Sequence, residues 1–501
     1  MTLRLYDTRS RSVRDFVPLV DGRASLYLCG PTVQAPPHIG HVRNAVNVDI
    51  LTRWLRRSGH EITYIRNVTD VEDKLIAKSV ELAEPAWQIA IRNERAFGAA
   101  YSALGCAQPT YEPRATGHMT EMFDLIGRLV DRGHAYTAAG DVYFSIRSWP
   151  AYGELTRQDP ANLLPAADTE TDARKRDPRD FALWKSAKPG EPSWSSPWGR
   201  GRPGWHIECS AMAARYLGPA FDIHAGGLDL AFPHHENEIA QSNAAGYAFA
   251  SVWMHNGLVV DAHGEKMSKS LGNSLLVTQA LRQVRPVELR YYLAAPHYRS
   301  IIQASTEGID EAAVAYQRLE GFVLRATEVV GEDDGAGSVG GDGTGAVGEA
   351  STGSVGGDGA GWRDTDGAES RAAVVCADFA TAMDDDLGVP RALAAMQEVA
   401  REGNRALADG DKEAARGALA SVRSMLDVLG LDPLDPQWRD RGGDGRLTGV
   451  VDALVQVALQ QRQAARERRD YPAADAIRDD LAAAGVAVED TSSGPRWALQ
   501  H

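Results

Sequence analysis

The stretch ASLYLCG (residues 24–30), followed by HVRNAVNVDILTRWLRRSG (residues 41–59), decides the fold. The first is a short apolar run that predicts a strand ending near Cys29. In the second, apolar side chains recur every three or four positions, and Gly59 predicts the end of a helix. A second strand-like run, EITYIRNVT (residues 61–69), comes next. Strand, crossover helix and strand in this order predict a doubly wound parallel sheet.

Ligands in such sheets bind beyond the carboxyl ends of the strands. Cys29 and residues 67–70 both fall at predicted ends of this kind. Parallel-sheet features return much later in the chain, in FDIHAGG (residues 221–227) and SVWMHNGLVV (residues 251–260). We therefore expect the candidate site to combine residues that lie far apart in sequence.

Composition describes a soluble globular protein of several domains, with 501 residues, 44% hydrophobic and 24% charged. The N-terminus has no apolar core of signal-peptide length, and no run of about 18 apolar residues predicts a membrane span. The four cysteines lie far apart, which is typical of a reduced, cytoplasmic protein. The net charge of −15 argues against general polyanion binding, although a local basic surface stays possible.

The fold class that we predict is α/β, a doubly wound Rossmann-type catalytic domain with an inserted connective segment, followed by an α-helical bundle and a small C-terminal domain. The repeat GSVGGDG, at 337–343 and 353–359, lies in a Gly-rich tract whose composition predicts a flexible insert. A calcium-binding repeat is disfavoured because the tract lacks a regular nonapeptide pattern. The predicted boundaries are catalytic domain 1–110 and 205–255, connective segment 111–204, linking domain 256–305, bundle 306–430 with insert 331–367, and C-terminal domain 443–501.

PPHIGH (residues 36–41) places His38 and His41 at a helix N-terminus, where exposed amides and the helix dipole favour phosphate. Gly40 lets a nucleotide approach the backbone closely. A structural role for either histidine is the alternative reading.

GEKMSKSLGN (residues 264–273) carries Lys266 and Lys269 between glycines. Two ammonium groups on a loop can close over a triphosphate and offset the charge of a departing pyrophosphate. A solvated basic turn is the alternative. The two motifs, in this order, resemble the HIGH and KMSKS signatures of class I aminoacyl-tRNA synthetases. The second motif, with Lys266 and Lys269, falls in the predicted linking domain.

LDLAFPHHENEIAQS (residues 228–242) puts His234 and Glu238 four apart on a predicted helix, where they can share a metal ion or form a solvated capping pair. Cys29 and Cys209, the latter in GWHIECSAMAARY (residues 204–216), complete a set that resembles the cysteinyl-tRNA synthetase family. NVTDVEDK, FPHHENEIAQS and MDDDLGVPRAL also resemble that family, and the resemblance spans nearly the whole chain.

The resemblance implies a role for each matching residue. The implied zinc ligands are Cys29, Cys209, His234 and Glu238. The implied catalytic residues are His38, His41, Lys266 and Lys269, and the implied ATP contacts are His38, Gly40, His41, Gly227, Asp229 and Lys269. The implied amino acid contacts are Gly30, Thr32, Thr69, Trp205, His224 and Asp229; for Trp205 and His224 core packing is the alternative, and for Asp229 a buried capping role.

The implied activity is ATP-dependent formation of cysteinyl-adenylate and transfer of cysteine to the 3′ end of tRNA(Cys). One zinc ion per subunit would select the cysteine thiolate against serine, and Mg²⁺ would arrive with ATP. The implied partners are tRNA(Cys), ATP and L-cysteine, with no membrane; a cytoplasmic monomer is expected.

The sequence departs from the family pattern in two places. Residues 34–37 (QAPP) replace a Tyr-Asp pair, whose contacts are therefore not transferred, and Ala225 and Leu228 replace a common Gly and Ser. The helical and C-terminal regions would reach the anticodon.

Candidate RNA contacts are Arg462, Arg466, Arg468, Arg469, Asp490, Arg496 and Trp497, with a salt-bridged surface helix as the alternative for the arginines. Two rival functions stay open. A related ligase family passes adenylated cysteine to an amino sugar but lacks the long helical region. An inactive paralogue would bind RNA or nucleotide as a regulator.

Overall fold

The computed structural model describes residues 2–159, 174–261, 264, 275–331, 375–439, 445–491 and 494–499. It divides the chain into two compact units, Met1–Pro433 and Leu434–His501. Among the described residues, no helix combines the length and apolarity needed to cross a bilayer.

The strands and helices are numbered in chain order. The strands are β1 Arg4–Asp7, β2 Ser12–Asp15, β3 Arg23–Leu28, β4 Glu61–Arg66, β5 Ala135–Ala138, β6 Asp141–Phe144, β7 Phe181–Ser186, β8 Gly201–Pro203, β9 Ala220–Gly227, β10 Phe249–Asn256, β11 Val259–Val260, β12 Ile302–Gln303, β13 Val486–Thr491 and β14 Gly494–Leu499. The helices are α1 Ile39–Arg57, α2 Asp73–Leu82, α3 Ala86–Ala103, α4 Met119–Asp131, α5 Trp205–Leu217, α6 Glu236–Ala244, α7 Val277–Ala280, α8 Pro286–Ala294, α9 Thr306–Gly331, α10 Ala377–Asp384, α11 Val389–Asp409, α12 Lys412–Leu429, α13 Pro436–Arg439, α14 Gly445–Glu467 and α15 Tyr471–Ala483.

The central sheet has the strand order β10-β9-β3-β4, and every pair in it is parallel. Helix α1 makes the crossover from β3 to β4, as the apolar spacing predicts. The chain then leaves the sheet for more than a hundred residues and returns as β9 on the other side of β3. From β3 the chain crosses to β4 on one side, and from β9 it crosses to β10 on the other side. The gap between β3 and β9 is therefore a topological switch point, where α/β sheets bind ligands.

The region between β4 and α5 forms a second sheet, antiparallel, in the order β5-β6-β7-β8. Asp73, at the start of α2, pairs with Lys185 and Arg202 on this sheet. The antiparallel sheet therefore packs beside the carboxyl end of β4, which Thr69 follows.

Helices α9, α11 and α12 pack together in the first unit through buried side chains such as Phe322, Met396 and Met425. Arg290 of α8 is fully buried and connects this bundle to α1. It donates to Asp49 of α1 at 2.6 Å and to the Leu429 carbonyl at the end of α12 at 2.8 Å.

In the second unit, α14 and α15 pack with the antiparallel hairpin β13-β14 around Val455, Leu459 and Val486. Two details differ from the sequence predictions. Arg462 is only 8% exposed, so it is buried along α14 and does not belong to an exposed basic face. Arg468 and Arg469 follow the end of α14 at Glu467.

The predicted fold class, parallel sheet and first crossover helix are confirmed. The KMSKS residues Lys266 and Lys269, and all of the predicted insert 331–367 except Gly331, lie outside the described residues. The domain boundaries stay predictions.

Candidate metal and nucleotide site

Four predicted ligands meet at the switch point of the central sheet. Cys29 follows β3, Cys209 lies on α5, Glu238 lies on α6, and His234 lies in the π-helical turn that precedes α6. One ligand atom of each lies within 4.8 Å of the others, and all four residues are buried. A solvated surface pair, the alternative for His234 and Glu238, is therefore excluded.

The four side chains already form a charged network. The Cys29 thiol donates to the Cys209 sulfur at 3.7 Å, and the Nε2 atom of His234 lies 3.0 Å from the Oε1 atom of Glu238. Burial opposes ionisation of Cys209, but the Cys29 hydrogen bond and the His234 charge lower the pKa of Cys209 to about 6. Burial likewise opposes the charge on His234, yet Glu238 and Cys209 raise its pKa to about 10. These pKa shifts have the directions expected when opposite charges on Cys209, His234 and Glu238 stabilise one another.

Two aromatic rings hold His234 in place. Trp205 stacks on it with ring centroids 4.3 Å apart, and the Nδ1 atoms of His206 and His234 lie 3.0 Å apart. Burial, reinforced by the His234 charge, lowers the pKa of His206 far below its usual range, so His206 is neutral and accepts the Nδ1 proton of His234. The Nε2 atom of His234 is thereby directed to the cluster, in the way that outer hydrogen bonds orient metal-binding imidazoles.

A second possible ligand group overlaps the first. Cys29 and Glu238 also lie with His224 and His235 in a buried set that meets the same distance criterion. His224 Nε2 lies 3.3 Å from Glu238 Oε2, and its ring stacks on Tyr27. The set with two thiols suits Zn²⁺ better, because zinc favours thiolate and Cys209 is the more acidic thiol of the pair. His224 then lies beside the ligands, and its role in lining the amino acid pocket stays a prediction.

The HIGH motif forms the start of α1. His38 is the N-cap, and its Nδ1 atom accepts the Gly40 N–H at 3.2 Å, while the Nδ1 atom of His41 accepts the His38 N–H at 3.3 Å. The two rings stack with centroids 3.6 Å apart. Leu275, six positions after Lys269, accepts the Ile39 N–H at 3.1 Å. The backbone that follows the KMSKS motif is therefore hydrogen-bonded to the HIGH motif.

Three of the predicted amino acid contacts, Gly30, Thr32 and Thr69, lie between the ends of β3 and β4. The Gly30 N–H donates to the Asn67 side chain at 2.8 Å, and Asn67 donates to the Thr69 hydroxyl at 3.2 Å. A Cβ atom on Gly30 would lie 1.7 Å from the Asn67 carbonyl oxygen, so only glycine fits there. Thr32 and Thr69 form a parallel backbone bridge.

The predicted adenosine contacts lie at the end of β9. A Cβ atom on Gly227 would lie 2.4 Å from the Asp229 carboxylate and 3.4 Å from the Asn44 amide. Asp229 is exposed on the short turn after Gly227, so the alternative of a buried capping carboxylate is excluded. Its acidic side chain borders the same end of the sheet as the HIGH motif.

Comparison with known proteins assigns this geometry to a family. Family models match tRNA synthetases class I (C) catalytic domain over residues 15–314, the DALR domain over 378–433 and the cysteinyl-tRNA ligase anticodon binding domain over 448–497. Cysteine–tRNA ligases of Streptomyces avermitilis (55% identical over 501 residues, covering 100% of this chain and 99% of theirs) and Nocardioides sp. (54% over 509 residues, 100% of both) are similar throughout. The chain belongs to the cysteinyl-tRNA synthetase family.

Solved structures agree with the fold of this cysteinyl-tRNA synthetase family member. A methionyl-tRNA synthetase of Mycobacterium tuberculosis in complex with methionyl-adenylate matches with a TM-score of 0.57 at 15% identity, covering 82% of this chain and 90% of that one. LeuRS of Agrobacterium radiobacter K84 in a ternary complex with tRNA and LeuAMS matches with a TM-score of 0.57 at 11% identity, covering 86% of each. At these identities the likeness concerns the fold.

Sequence analysis missed three buried residues beside the candidate site. His206 lies three positions before Cys209 on α5, so both side chains lie on one helix face. This spacing could have indicated that His206 lies near the ligands. His235 was visible beside His234 but had no assigned role. Glu208 gave no signal, because its neighbours Thr69 and Asp70 come from a different part of the chain; burial, with Cys209 and Asp70, raises the pKa of Glu208 well above its usual range.

Proposed function

We propose that the chain joins L-cysteine to the 3′ end of tRNA(Cys) in two steps. The cysteine carboxylate attacks the α-phosphorus of ATP, forming cysteinyl-adenylate and releasing pyrophosphate. A ribose hydroxyl of the terminal tRNA nucleotide then attacks the activated carbonyl, and AMP leaves. The observation that carries this proposal is the buried Cys29, Cys209, His234 and Glu238 group at the switch point, beside the HIGH helix start.

The residues of this group fit a zinc ion, since two sulfurs, an imidazole and a carboxylate converge in a buried site with a thiol of lowered pKa. When bound there, zinc would accept the thiolate of cysteine as a further ligand and so distinguish it from serine. Trp205 and His206 orient His234, and Tyr27 stacks on His224. These contacts fix the side chains before substrate arrives.

We propose that the HIGH and KMSKS residues contact the phosphates of ATP. The N-terminal amides of α1 and the side chains of His38 and His41 lie where phosphate oxygens are favoured. We propose that Lys266 and Lys269 neutralise the departing pyrophosphate, and that Mg²⁺ enters with ATP. Catalysis is then positioning and charge neutralisation, with no covalent enzyme intermediate.

For the RNA, the match to an anticodon binding domain over residues 448–497 supports tRNA as acceptor. We propose exposed Arg466 and Arg468 as phosphate contacts in this domain, whereas Trp497 packs partly against the Val455 and Leu459 cluster. The proposed acceptor distinguishes this chain from a ligase that transfers cysteine to an amino sugar.

The test is cysteine-dependent exchange of pyrophosphate into ATP, followed by charging of purified tRNA(Cys). Both reactions are expected with cysteine, and neither with serine at equal concentration. Exchange without charging would mean that the acceptor is not tRNA but another molecule, such as an amino sugar. Absence of exchange would identify an inactive paralogue.

We predict that His41→Ala lowers the turnover number of exchange by about 100-fold, the usual effect of removing one preorganised group from a developing charge. The zinc content is expected to stay unchanged, because His41 lies on α1 and not among the ligands. The measurement is steady-state exchange together with metal analysis. His60→Ala, a histidine just beyond the opposite end of α1, is the matched control and should retain activity. Equal exchange rates for the two variants would show that His41 takes no part in the reaction.

A further inference from the structure

Asp386 is a buried carboxylate to which the proposed reaction gives no role. It lies between α10 and α11, within the stretch MDDDLGVPRAL (residues 383–393), and is only 3% exposed. Asp386 and Leu387 both have left-handed backbone conformations, with φ values of 59° and 50°. Residues other than glycine adopt this conformation at a cost in free energy, and such positions are concentrated at functional sites.

The Asp386 carboxylate connects segments that lie far apart in the chain. Its Oδ1 atom accepts the Tyr6 N–H of β1 at 2.7 Å and the Tyr298 hydroxyl at 2.6 Å. Its Oδ2 atom accepts the Arg299 Nε–H at 2.8 Å and lies 2.7 Å from the Nη2 atom of the same guanidinium. Both oxygens therefore hold the segment that follows α8.

This segment is in turn bound to the strand that precedes the KMSKS motif. The Tyr298 carbonyl accepts the Gly257 N–H at 2.8 Å. A Cβ atom on Gly257 would lie 2.2 Å from the Ser300 carbonyl oxygen, so the two backbones are in close contact there. Immediately beyond these residues, β11 and β12 pair in parallel. Strand β11 ends at residue 260, shortly before the motif begins at residue 264.

The same backbone contacts the HIGH helix. Arg43 of α1 is buried and donates to the Gly257 carbonyl at 2.8 Å and to the His297 carbonyl at 3.1 Å. Val259 of β11 lies beside Gly40, because a Cβ atom on that glycine would be 3.6 Å from the Val259 Cβ atom. A displacement of residues 297–300 would therefore move β11 relative to the start of α1, where we place the ATP phosphates.

We propose that Asp386 is a positioning residue for ATP activation. Its carboxylate holds Tyr298 and Arg299 so that β11, which leads to the KMSKS motif, keeps a fixed place against the HIGH helix. This inference rests on the proposed function. Asp386 lies in the part of the chain that matches the DALR domain, so the helical region contributes to the adenylation step. The zinc ligands lie on other segments, and cysteine binding should therefore not depend on Asp386.

The test is Asp386→Asn in the zinc-loaded, full-length protein, below the unfolding temperature of each variant. An amide has one acceptor oxygen where the carboxylate has two, so Tyr298 and Arg299 can no longer both be held. We expect the turnover number of cysteine-dependent pyrophosphate exchange to fall about tenfold or more, since a 1 Å misplacement far from the chemistry can cost about 100-fold. Zinc content and the dissociation constant for cysteine should stay unchanged.

Amide deuterium uptake, measured by mass spectrometry, reports the position of β11 independently of activity. In Asp386→Asn, uptake over residues 257–260 should be faster than in the wild type. A role in stability alone would lower the unfolding temperature but leave the turnover number of the folded variant unchanged. That outcome, or unchanged deuterium uptake over residues 257–260, would overturn the inference.

Asp385→Asn is the matched control, because it makes the same substitution one position earlier. The Asp385 side chain is exposed and pairs with Arg4 and Arg391. This variant should keep the wild-type turnover number and deuterium uptake; losses equal to those of Asp386→Asn would mean that local charge, and not the held segment, is responsible.

If Asp386→Asn does not fold, Arg299→Gln replaces it in the same measurements, with the same expected directions. The Arg299 side chain is 40% exposed, and its replacement breaks the same ion pair from the other side. A wild type without pyrophosphate exchange would refute the proposed function and this inference with it. A wild type that exchanges, together with an Asp386→Asn variant that exchanges equally well, would refute this inference alone.

Discussion

Replacing Cys209 by serine is expected to leave the protein with substoichiometric zinc and to lower cysteine-dependent pyrophosphate exchange by more than about 100-fold. Loss of groups that only support a metal ligand already costs about 10- to 100-fold, and Cys209 is itself a proposed ligand. Its thiol is the acidic member of the pair, with a pKa lowered to about 6, whereas a serine hydroxyl stays protonated. The measurements are metal analysis of the purified protein and exchange kinetics at saturating ATP.

Cys376→Ser is the matched control, since Cys376 contacts Met425 in the helical bundle and belongs to neither ligand group. It should retain zinc and activity. If Cys209→Ser keeps full zinc while His235→Asn loses it, the metal lies in the overlapping group with His224 and His235. If Cys209→Ser keeps both zinc and activity, selection of cysteine through this cluster is refuted.

Local sequence determines a large part of the fold. The apolar run of β3 and the helical spacing of α1 were readable because each segment buries one continuous apolar surface. The partner of β3 on its other side was not readable. Leu26 pairs with Ile223 across almost two hundred residues, and such a register depends on tertiary packing that leaves no local pattern.

The candidate site, too, has features that the sequence predicts and features that it does not. His234 and Glu238 were predicted on one helix, but α6 begins at Glu236, and His234 belongs to a π-helical turn in which Phe232 is extended. The two side chains still meet at 3.0 Å, because the turn directs His234 to the same face. The four-residue set itself came from family resemblance and not from spacing, since its members come from three separate stretches of the chain.

The second large effect concerns stability. Arg290→Met is expected to lower the free energy of unfolding of the first unit by about 3–5 kcal/mol, the range for removing one partner of a buried ion pair. Arg290 is fully buried and donates to Asp49, to the Leu104 carbonyl at 2.9 Å and to the Leu429 carbonyl at 2.8 Å. Methionine fills much of the volume but leaves Asp49 charged and buried, with Arg53 and the Ala107 N–H as its remaining partners. Both carbonyls lose their donor as well.

The pH dependence of this loss tests its cause. Burial opposes the charge on Asp49, but Arg53 and Arg290 lower its pKa to about 2. Since an unfolded Asp titrates near pH 3.9, the stabilisation by its charge is complete above that pH and disappears as the pH falls toward 2. The difference between wild type and Arg290→Met in urea unfolding should therefore be largest near pH 6 and shrink toward pH 3. Arg401→Met, which removes an exposed ion pair with Glu398 on α11, should cost about 1 kcal/mol or less. A loss that is equal for both variants, or independent of pH, would mean that Arg290 acts by volume and not through the Asp49 charge.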